Sequence, residues 1–383
     1  MNNNNNNCSY FALLYEDSDA TFTLTMPAPS SVVKQLWETT LDHNFNTLNV
    51  ASVFRHSGLH LIVGCEDGTI RIYNLPLQQT KNSIKKFAFC LQLKSQLDSK
   101  GGPIQMMAVH DVTRFSSNDL LVADSHGTLT VFCNEQILHR QRLSDSSINC
   151  LQVEQDASGK ITIVASDGDG CLLATHPHKE LWKIRLPDIM TEKSLRSKPV
   201  VTALLCVQTV APDGKQINYI LASDSYSNVH VLQQGKLVMS IPTPSRVNAM
   251  CCGRFKMSAA GDSDMGATAA GAGSKLQVAL ATDTGVIYIM EEFQLCETEY
   301  CAVGSPVTQL CRLSARELGN ADVLLAAGHY NALAIYQDGK LKVKHQTSDW
   351  ICSVIAADMD NDNHVAVVVG CYDRTISALR INI

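Results

Sequence analysis

Three aspartates at alternate positions near the end of the chain are the residues best suited, by type and spacing, to do chemistry. Asp358, Asp360 and Asp362 fall in one polar loop. Alternate side chains of a tightly curled loop converge, and converging carboxylate oxygens suit a hard cation such as Ca²⁺. The same residues suit Asx turns, in which a carboxylate accepts hydrogen bonds from backbone N–H groups. The turn interpretation is favoured, and a calcium site at these three aspartates is the alternative hypothesis.

The rest of the sequence offers little for catalysis. It contains no GxSxG nucleophile elbow, no phosphate-binding loop that ends in Gly-Lys-Ser/Thr, and no HExxH zinc motif. The twelve histidines are dispersed along the chain. His126 and His329 fall in predicted turns and His230 falls within a predicted strand, where structural or solvated roles are typical. We therefore predict that the chain is not an enzyme and uses no cofactor other than the calcium ion of the alternative hypothesis.

Composition restricts the classes of partner and the compartment. The 31 basic and 37 acidic residues give a net charge of −6, which argues against nucleic acid or an anionic membrane as the main partner. The fourteen cysteines are scattered through apolar segments, as expected of reduced thiols in the cytoplasm. The first residues include a run of six asparagines rather than a secretory signal. No window approaches the ~20 apolar residues of a membrane span. The predicted location is cytoplasmic.

The elements that position the aspartate loop belong to a repeat. Residues 349–383 predict three strands, at 350–357, 364–370 and 375–381. An apolar strand ending in a small residue, a polar turn and an alternating strand recur seven times, from Leu61, Leu120, Thr162, Tyr219, Val278, Leu324 and Val367. Most copies have a further strand before and after them. Four-stranded units repeated seven times predict an all-β fold, a seven-bladed β-propeller.

The two ends of the chain predict how this ring closes. The last copy has no fourth strand after it, whereas residues 34–42 match residues 179–186, the fourth strand of the third copy. We predict that Trp37 and Leu41 belong to the outermost strand of the last blade, which removes two exposed sheet edges. Residues 32–383 then form the propeller. Residues 1–31 are predicted to be a disordered or loosely docked extension, and residues 258–275, rich in Ala, Gly and Ser, a flexible insertion.

Two short pieces carry a resemblance to known propellers. Leu-Trp pairs precede a new blade at Trp37 and Trp182, and residues 356–370 follow the pattern AxDxDxDxHxxVVVG. Both pieces resemble the divergent WD-like or FG-GAP-like propellers of the Bardet–Biedl ciliary complex and of the KICSTOR complex. The resemblance implies a non-enzymatic scaffold or adaptor subunit of an intracellular multiprotein complex. The alternative is a propeller hydrolase or lactonase that holds a metal in its channel with side chains from several blades.

The aspartate loop departs from the FG-GAP pattern at two positions. Asn363 stands where a glycine is usual, and Ala366 stands where the last carboxylate is expected. These changes remove the residue that permits a sharp turn and one ligand, which weakens the calcium hypothesis.

The predicted turns also suggest where a protein partner binds. In a propeller, the turns joining second to third strands lie on the same face as the links between blades. Tyr330, Tyr372 and Arg374 come from such turns in the last two blades. Tyrosine and arginine are enriched at interface hot spots, and turns seldom need them for folding. We predict a protein-binding surface at these three residues.

Overall fold

The computed structural model describes residues 32–75, 91–177, 179–190, 197–211, 214–257, 275–315, 320–359 and 365–383. The chain divides into two units, Met1–Ser31 and Val32–Ile383, and everything described lies in the second. The predictions for residues 1–31 and for the insertion at 258–275 fall outside the described residues, except for Lys275. They stay predictions.

Seven antiparallel sheets of four strands each make up the fold. The first strands of the seven blades are β2 (Phe45–Ala51), β6 (Ile104–His110), β10 (Ile148–Gln155), β14 (Val201–Val210), β18 (Val247–Gly253), β22 (Val307–Leu313) and β26 (Ile351–Ala357). The second strands are β3 (His60–Cys65), β7 (Asp119–Asp124), β11 (Ile161–Asp167), β15 (Gln216–Asp224), β19 (Gln277–Thr282), β23 (Val323–Gly328) and β27 (Ala366–Cys371).

The third strands are β4 (Thr69–Asn74), β8 (Thr128–Cys133), β12 (Cys171–His176), β16 (Asn228–Gln233), β20 (Val286–Glu291), β24 (Tyr330–Gln337) and β28 (Thr375–Ile381). The fourth strands are β5 (Gln92–Asp98), β9 (Gln136–Arg142), β13 (Lys179–Arg185), β17 (Lys236–Pro242), β21 (Gln294–Ala302), β25 (Lys340–Gln346) and β1 (Val33–Thr40). The one helix in the described part is α1 (Leu186–Ile189), a single turn after β13.

The sheets form a closed ring. The first strand of each blade contacts the first strand of the next, and β26 of blade seven contacts β2 of blade one. The second and third strands are the middle strands of each blade, with a neighbouring blade on either side. Every residue of β3, β7, β8 and β27 is buried. This burial on both faces explains why these strands appear in the sequence as continuous apolar runs. The prediction of an all-β, seven-bladed propeller is confirmed.

The N-terminal strand completes the last blade, as predicted. β1 pairs antiparallel with β28, with Trp37 opposite Ala378. Leu41 lies directly after the strand, and its N–H donates to the carbonyl of Arg374 at 3.0 Å. Trp37 is 7% exposed, so the indole packs into the blade. β1 and β13 both carry a bulge at the leucine before the tryptophan, which gives the sequence match between them a structural basis.

Small residues near the ends of the second strands permit the blades to approach one another. A Cβ atom at Gly64 would lie 2.7 Å from side-chain atoms of Thr47 and Ile104, and the second of these belongs to the next blade. A Cβ atom at Gly370 would lie 2.5 Å from Leu48 Cδ1 of blade one. Real Cβ atoms do not approach other atoms so closely, and close packing leaves no room to shift. At Gly64 and Gly370 the small residue of the repeat is therefore a contact point between blades.

A feature that sequence analysis missed is a β-bulge near the start of every first strand. The bulged residues are Asn46, Gln105, Asn149, Thr202, Asn248, Thr308 and Cys352. A bulge re-aims its side chain. The Asn46 amide donates to the carbonyl of Ile104 at 2.9 Å, and the Thr202 hydroxyl donates to the carbonyl of Val247 at 2.5 Å. At these two positions the bulged side chain ties its blade to the next one.

Candidate protein-binding face

The turns between second and third strands and the links between blades share one face, which we call the upper face. In all seven blades a turn N–H donates to a carbonyl of the link before that blade, at 2.9 to 3.2 Å. The donors and acceptors are Glu66 and Asn44, Ser125 and Pro103, Gly168 and Ser147, Ser225 and Val200, Asp283 and Arg246, His329 and Pro306, and Tyr372 and Trp350. Side chains on these turns and links are therefore held on a fixed backbone.

Most of the aspartates in these turns are structural. Asp124 accepts hydrogen bonds from the backbone N–H groups of His126 and Thr128, at 2.9 and 2.8 Å. Asp167 accepts the corresponding bonds from Asp169 and Cys171, at 2.9 and 2.8 Å. These are Asx-type interactions, which set the turn and occupy one oxygen of the carboxylate. Such aspartates position the face rather than act on a ligand.

Blade four adds a buried histidine to this arrangement. His230 Nε2 lies 2.9 Å from Asp224 Oδ2, and His230 Nδ1 lies 2.8 Å from Ser240 Oγ. Asp224 also accepts the backbone N–H groups of Tyr226 and Asn228. Burial opposes the charged form of Asp224, but hydrogen bonds from His230 and Asn228 outweigh it and lower the pKa of the carboxyl. Since Asp224 is tied to its own turn, we assign this chain of contacts to stability.

Two of the predicted partner-binding residues lie together in the blade-seven turn. Tyr372 is 59% exposed, and Arg374 is exposed with φ of +72°. Between them, Asp373 accepts the backbone N–H of Thr375 at 2.9 Å. Burial acts against the charged form of Asp373, but hydrogen bonds from Ser348 and Thr375 lower the pKa of the carboxyl. The turn therefore presents an aromatic ring and a guanidinium from an anchored backbone.

The third predicted residue, Tyr330, is anchored in the fold. It begins β24, and its hydroxyl donates to the carbonyl of Ala326 at 2.8 Å. Burial, followed by the nearby Tyr336, raises the pKa of the Tyr330 hydroxyl. Its ring faces Lys344, with Nζ 5.3 Å from the ring centroid. Tyr330 thus offers a partner much less surface than Tyr372 does.

Two residues that sequence analysis did not select extend the patch. Trp350 was predicted to begin a strand, but β26 begins at Ile351 and Trp350 lies in the link, 44% exposed. Its indole stacks on the exposed ring of His329 from blade six, with centroids 4.9 Å apart and planes at 27°. The carbonyl of Trp350 accepts the N–H of Tyr372 at 3.0 Å. We define the aromatic patch as His329, Trp350, Tyr372 and Arg374.

The proposed calcium loop is described only at its first ligand. Asp358 is half-buried, and its Oδ1 is buried with no hydrogen-bond partner among the residues that the structure describes. Asp360 and Asp362 lie outside the described residues. Within the described ranges, no three His, Cys, Asp or Glu side chains are placed to hold a metal ion. The calcium site stays a prediction.

No helix in the described part of the chain is long and apolar enough to cross a membrane.

Seven four-stranded blades in a closed ring define the chain as a seven-bladed β-propeller. No protein-family model and no curated protein matches its sequence. The solved structures that are similar include two crystal structures of BBS1N in complex with ARL6DN. The BBS1N chain in the crystal soaked with lead is 11% identical in sequence to this chain. The TM-score is 0.66, and the match covers 92% of this chain and 98% of that chain. The crystal soaked with mercury is 12% identical, with a TM-score of 0.62 over 92% and 97%. The resemblance to Bardet–Biedl propellers is therefore confirmed at the level of the fold.

Proposed function

We propose that this chain is a non-enzymatic scaffold or adaptor subunit of an intracellular, cytoplasmic multiprotein complex, and that it binds a protein partner through the aromatic patch. The observation that carries the proposal is the exposed Trp350–His329 stack beside Tyr372. The two similar structures described above are of BBS1N bound to another protein, which supports a protein as the class of partner. Fold alone does not determine function, so the argument rests on the patch.

The composition of the patch suits protein recognition. Trp350 and Tyr372 are 44% and 59% exposed, and large aromatic side chains gain much apolar contact area when a partner covers them. Tryptophan, tyrosine and arginine are the residues most enriched at binding hot spots. The backbone hydrogen bonds that join turn to link fix the patch before binding, so little conformational entropy is lost on association.

The test is a variant that removes the patch and keeps the fold. Trp350→Ala and Tyr372→Ala delete the aromatic surface, and Arg374→Asn removes the guanidinium while tolerating the left-handed backbone. Val238→Ala, Met239→Ala and Lys236→Ala, on exposed positions of β17, make the matched control. Both variants should show the circular dichroism of the parent.

Affinity purification with quantitative mass spectrometry measures the outcome. We expect the patch variant to recover at least one major partner about tenfold or more less efficiently than the parent, since hot-spot truncations cost about 2 kcal/mol or more. The β17 control should recover the parent's partners. Identical recovery by the folded patch variant and the parent would show that the patch is not the binding site.

A further inference from the structure

A groove lies on the opposite, lower face, where first strands connect to second strands and third strands to fourth strands. It runs between blades two and three and encloses about 420 Å³. Its walls come from the β6–β7 loop, β9, the start of β11 and the end of β12. The lining residues are Val112, Thr113, Arg114, Phe115, Leu138, Lys160, Ile161, His176 and Pro177.

The lining is basic although the whole chain is acidic. Among the described residues, Arg114, Lys160 and His176 line the groove and no acidic residue does, whereas the chain carries a net charge of −6. Burial and the neighbouring charge of Lys160 lower the pKa of His176, and Lys179 and Arg114 lower it further. The positive charge of the lining therefore comes from Arg114 and Lys160, and such charges attract acidic groups.

The acidic side chains of the two loops are Asp111 and Asp156, and hydrogen bonds from Ser158 and Lys160, with the charge of Lys160, lower the pKa of the Asp156 carboxyl. Asp111 accepts the backbone N–H groups of Phe115 and Ser116, each at 3.1 Å. Asp156 accepts the N–H groups of Ser158 and Lys160, each at 2.9 Å. These bonds shape the loops, and the two carboxylates lie outside the lining.

The groove also has an exposed apolar rim. Phe115 is 59% exposed and Leu138 is 44% exposed. Both lie beside Val112 and Ile161, which are buried at the base of the groove. An apolar side chain inserted between Phe115 and Leu138 would remove apolar surface of both from water.

The loop that carries Arg114 and Phe115 is held in a strained conformation. Arg114 and Ser116 both have a backbone φ of +60°, a value that residues other than glycine rarely adopt. The Arg114 guanidinium donates to the carbonyl of Gly159 in blade three at 2.5 Å. On the other side, Asn118 pairs with Phe54 of blade one in an isolated β-bridge. Strain of this kind persists only where the surroundings hold it, and it is common at binding sites.

We propose that this groove binds an acidic segment of a partner protein that carries a large apolar anchor residue. The anchor lies between Phe115 and Leu138, and the carboxylates of the segment face Arg114 and Lys160. The groove lies on the face opposite the aromatic patch and binds a second partner segment. The two proposals can therefore be tested independently of each other. Charge complementarity selects this occupant over a symmetric dimer, in which the groove would face the same basic side chains of a second copy.

The probe is a phage-displayed library of random 12-residue peptides, selected on the full-length protein. A groove variant combines Phe115→Ser, Leu138→Ser and Lys160→Glu. Its matched control combines Leu341→Ser, Val238→Ser and Lys342→Glu, which likewise replaces two apolar residues by serine and one lysine by glutamate, at exposed positions of β25 and β17. Circular dichroism and melting temperature verify that both are folded, and sedimentation measures the oligomeric state of each.

We expect enriched peptides to carry more acidic than basic residues and at least one Phe, Trp, Leu or Ile. The top peptide, synthesised, should bind the parent and the control equally and the groove variant at least about tenfold more weakly. Its affinity for the parent should fall as salt rises, because salt screens the attraction. Three results would overturn the proposal: no enrichment, enrichment without acidic excess, or equal binding to the groove variant. A concentration-dependent dimer that only the groove variant loses would assign the groove to a second copy instead.

Discussion

At the scale of single residues, the aspartates of this chain have different roles that their spacing does not reveal. The repeated turn aspartates, such as Asp124 and Asp167, accept backbone N–H groups two and four residues ahead. Sequence analysis applied the Asx-turn interpretation to Asp358, Asp360 and Asp362, and it did not assign this role to Asp124 or Asp167. It did not identify the stack of Trp350 on His329, since these residues lie in different blades and their contact depends on the ring.

Asp224 provides a pH test of the buried network. Its side chain is fully buried, and hydrogen bonds from His230 and Asn228 lower its pKa from the ordinary value of about 3.9. The unfolded chain therefore binds this proton more tightly than the folded protein does. The resulting stability is present above the ordinary pKa and is lost as the pH falls through the lower folded-state pKa.

We expect Asp224→Asn to destabilise the protein at pH 7 by about 1.5–3 kcal/mol, the usual contribution of hydrogen bonds to a charged group. The deficit relative to the parent should shrink as the pH is lowered below about 4, as the parent carboxylate becomes protonated. Denaturant unfolding at a series of pH values measures both. A deficit that is constant across the series would show that the charge of Asp224 contributes nothing.

At the scale of elements, the N-terminal strand has the largest consequence, because it closes the ring. β1 supplies the fourth strand of blade seven and places Trp37 in a core cluster with Leu41, Val368 and Ala378. The sequence predicted this arrangement because residues 34–42 match residues 179–186 of an internal fourth strand. The bulges in the first strands could not be predicted, since a bulge is a register shift between two strands and leaves no fixed local pattern.

Two truncations test this closure. Deleting residues 1–42 removes β1 and leaves β28 as an uncovered edge, whereas deleting residues 1–30 removes no described strand. We expect the longer deletion to cost at least about 3 kcal/mol, the usual loss for removing a buried tryptophan, and to promote aggregation through the free edge. The shorter deletion should melt like the parent. Equal melting temperatures for the two truncations would contradict the role of β1 in closing the ring.

At the scale of the whole molecule, the sequence repeat predicted the ring of seven blades. It did not predict which side chains lie together on much of the outer surface of the ring. Seven copies of one supersecondary unit specify a propeller because each copy needs neighbours to bury both faces of its second and third strands. The side chains that share a surface come from distant parts of the sequence. The groove joins Phe115 of blade two to His176 of blade three, and no spacing rule connects them. The proposed function rests on such surfaces rather than on a motif.

Photo-crosslinking from the upper face tests the central claim, that the aromatic patch binds a protein. p-Benzoylphenylalanine replaces Tyr372 in one preparation and Val238, on the exposed side of β17, in another; the two positions are 59% and 52% exposed. The account predicts that irradiation in cells yields a discrete cross-linked product with another protein from position 372 and not from position 238. It further predicts that Trp350→Ala in the same chain removes this product. The absence of any product specific to position 372, or its persistence after Trp350→Ala, would contradict the account.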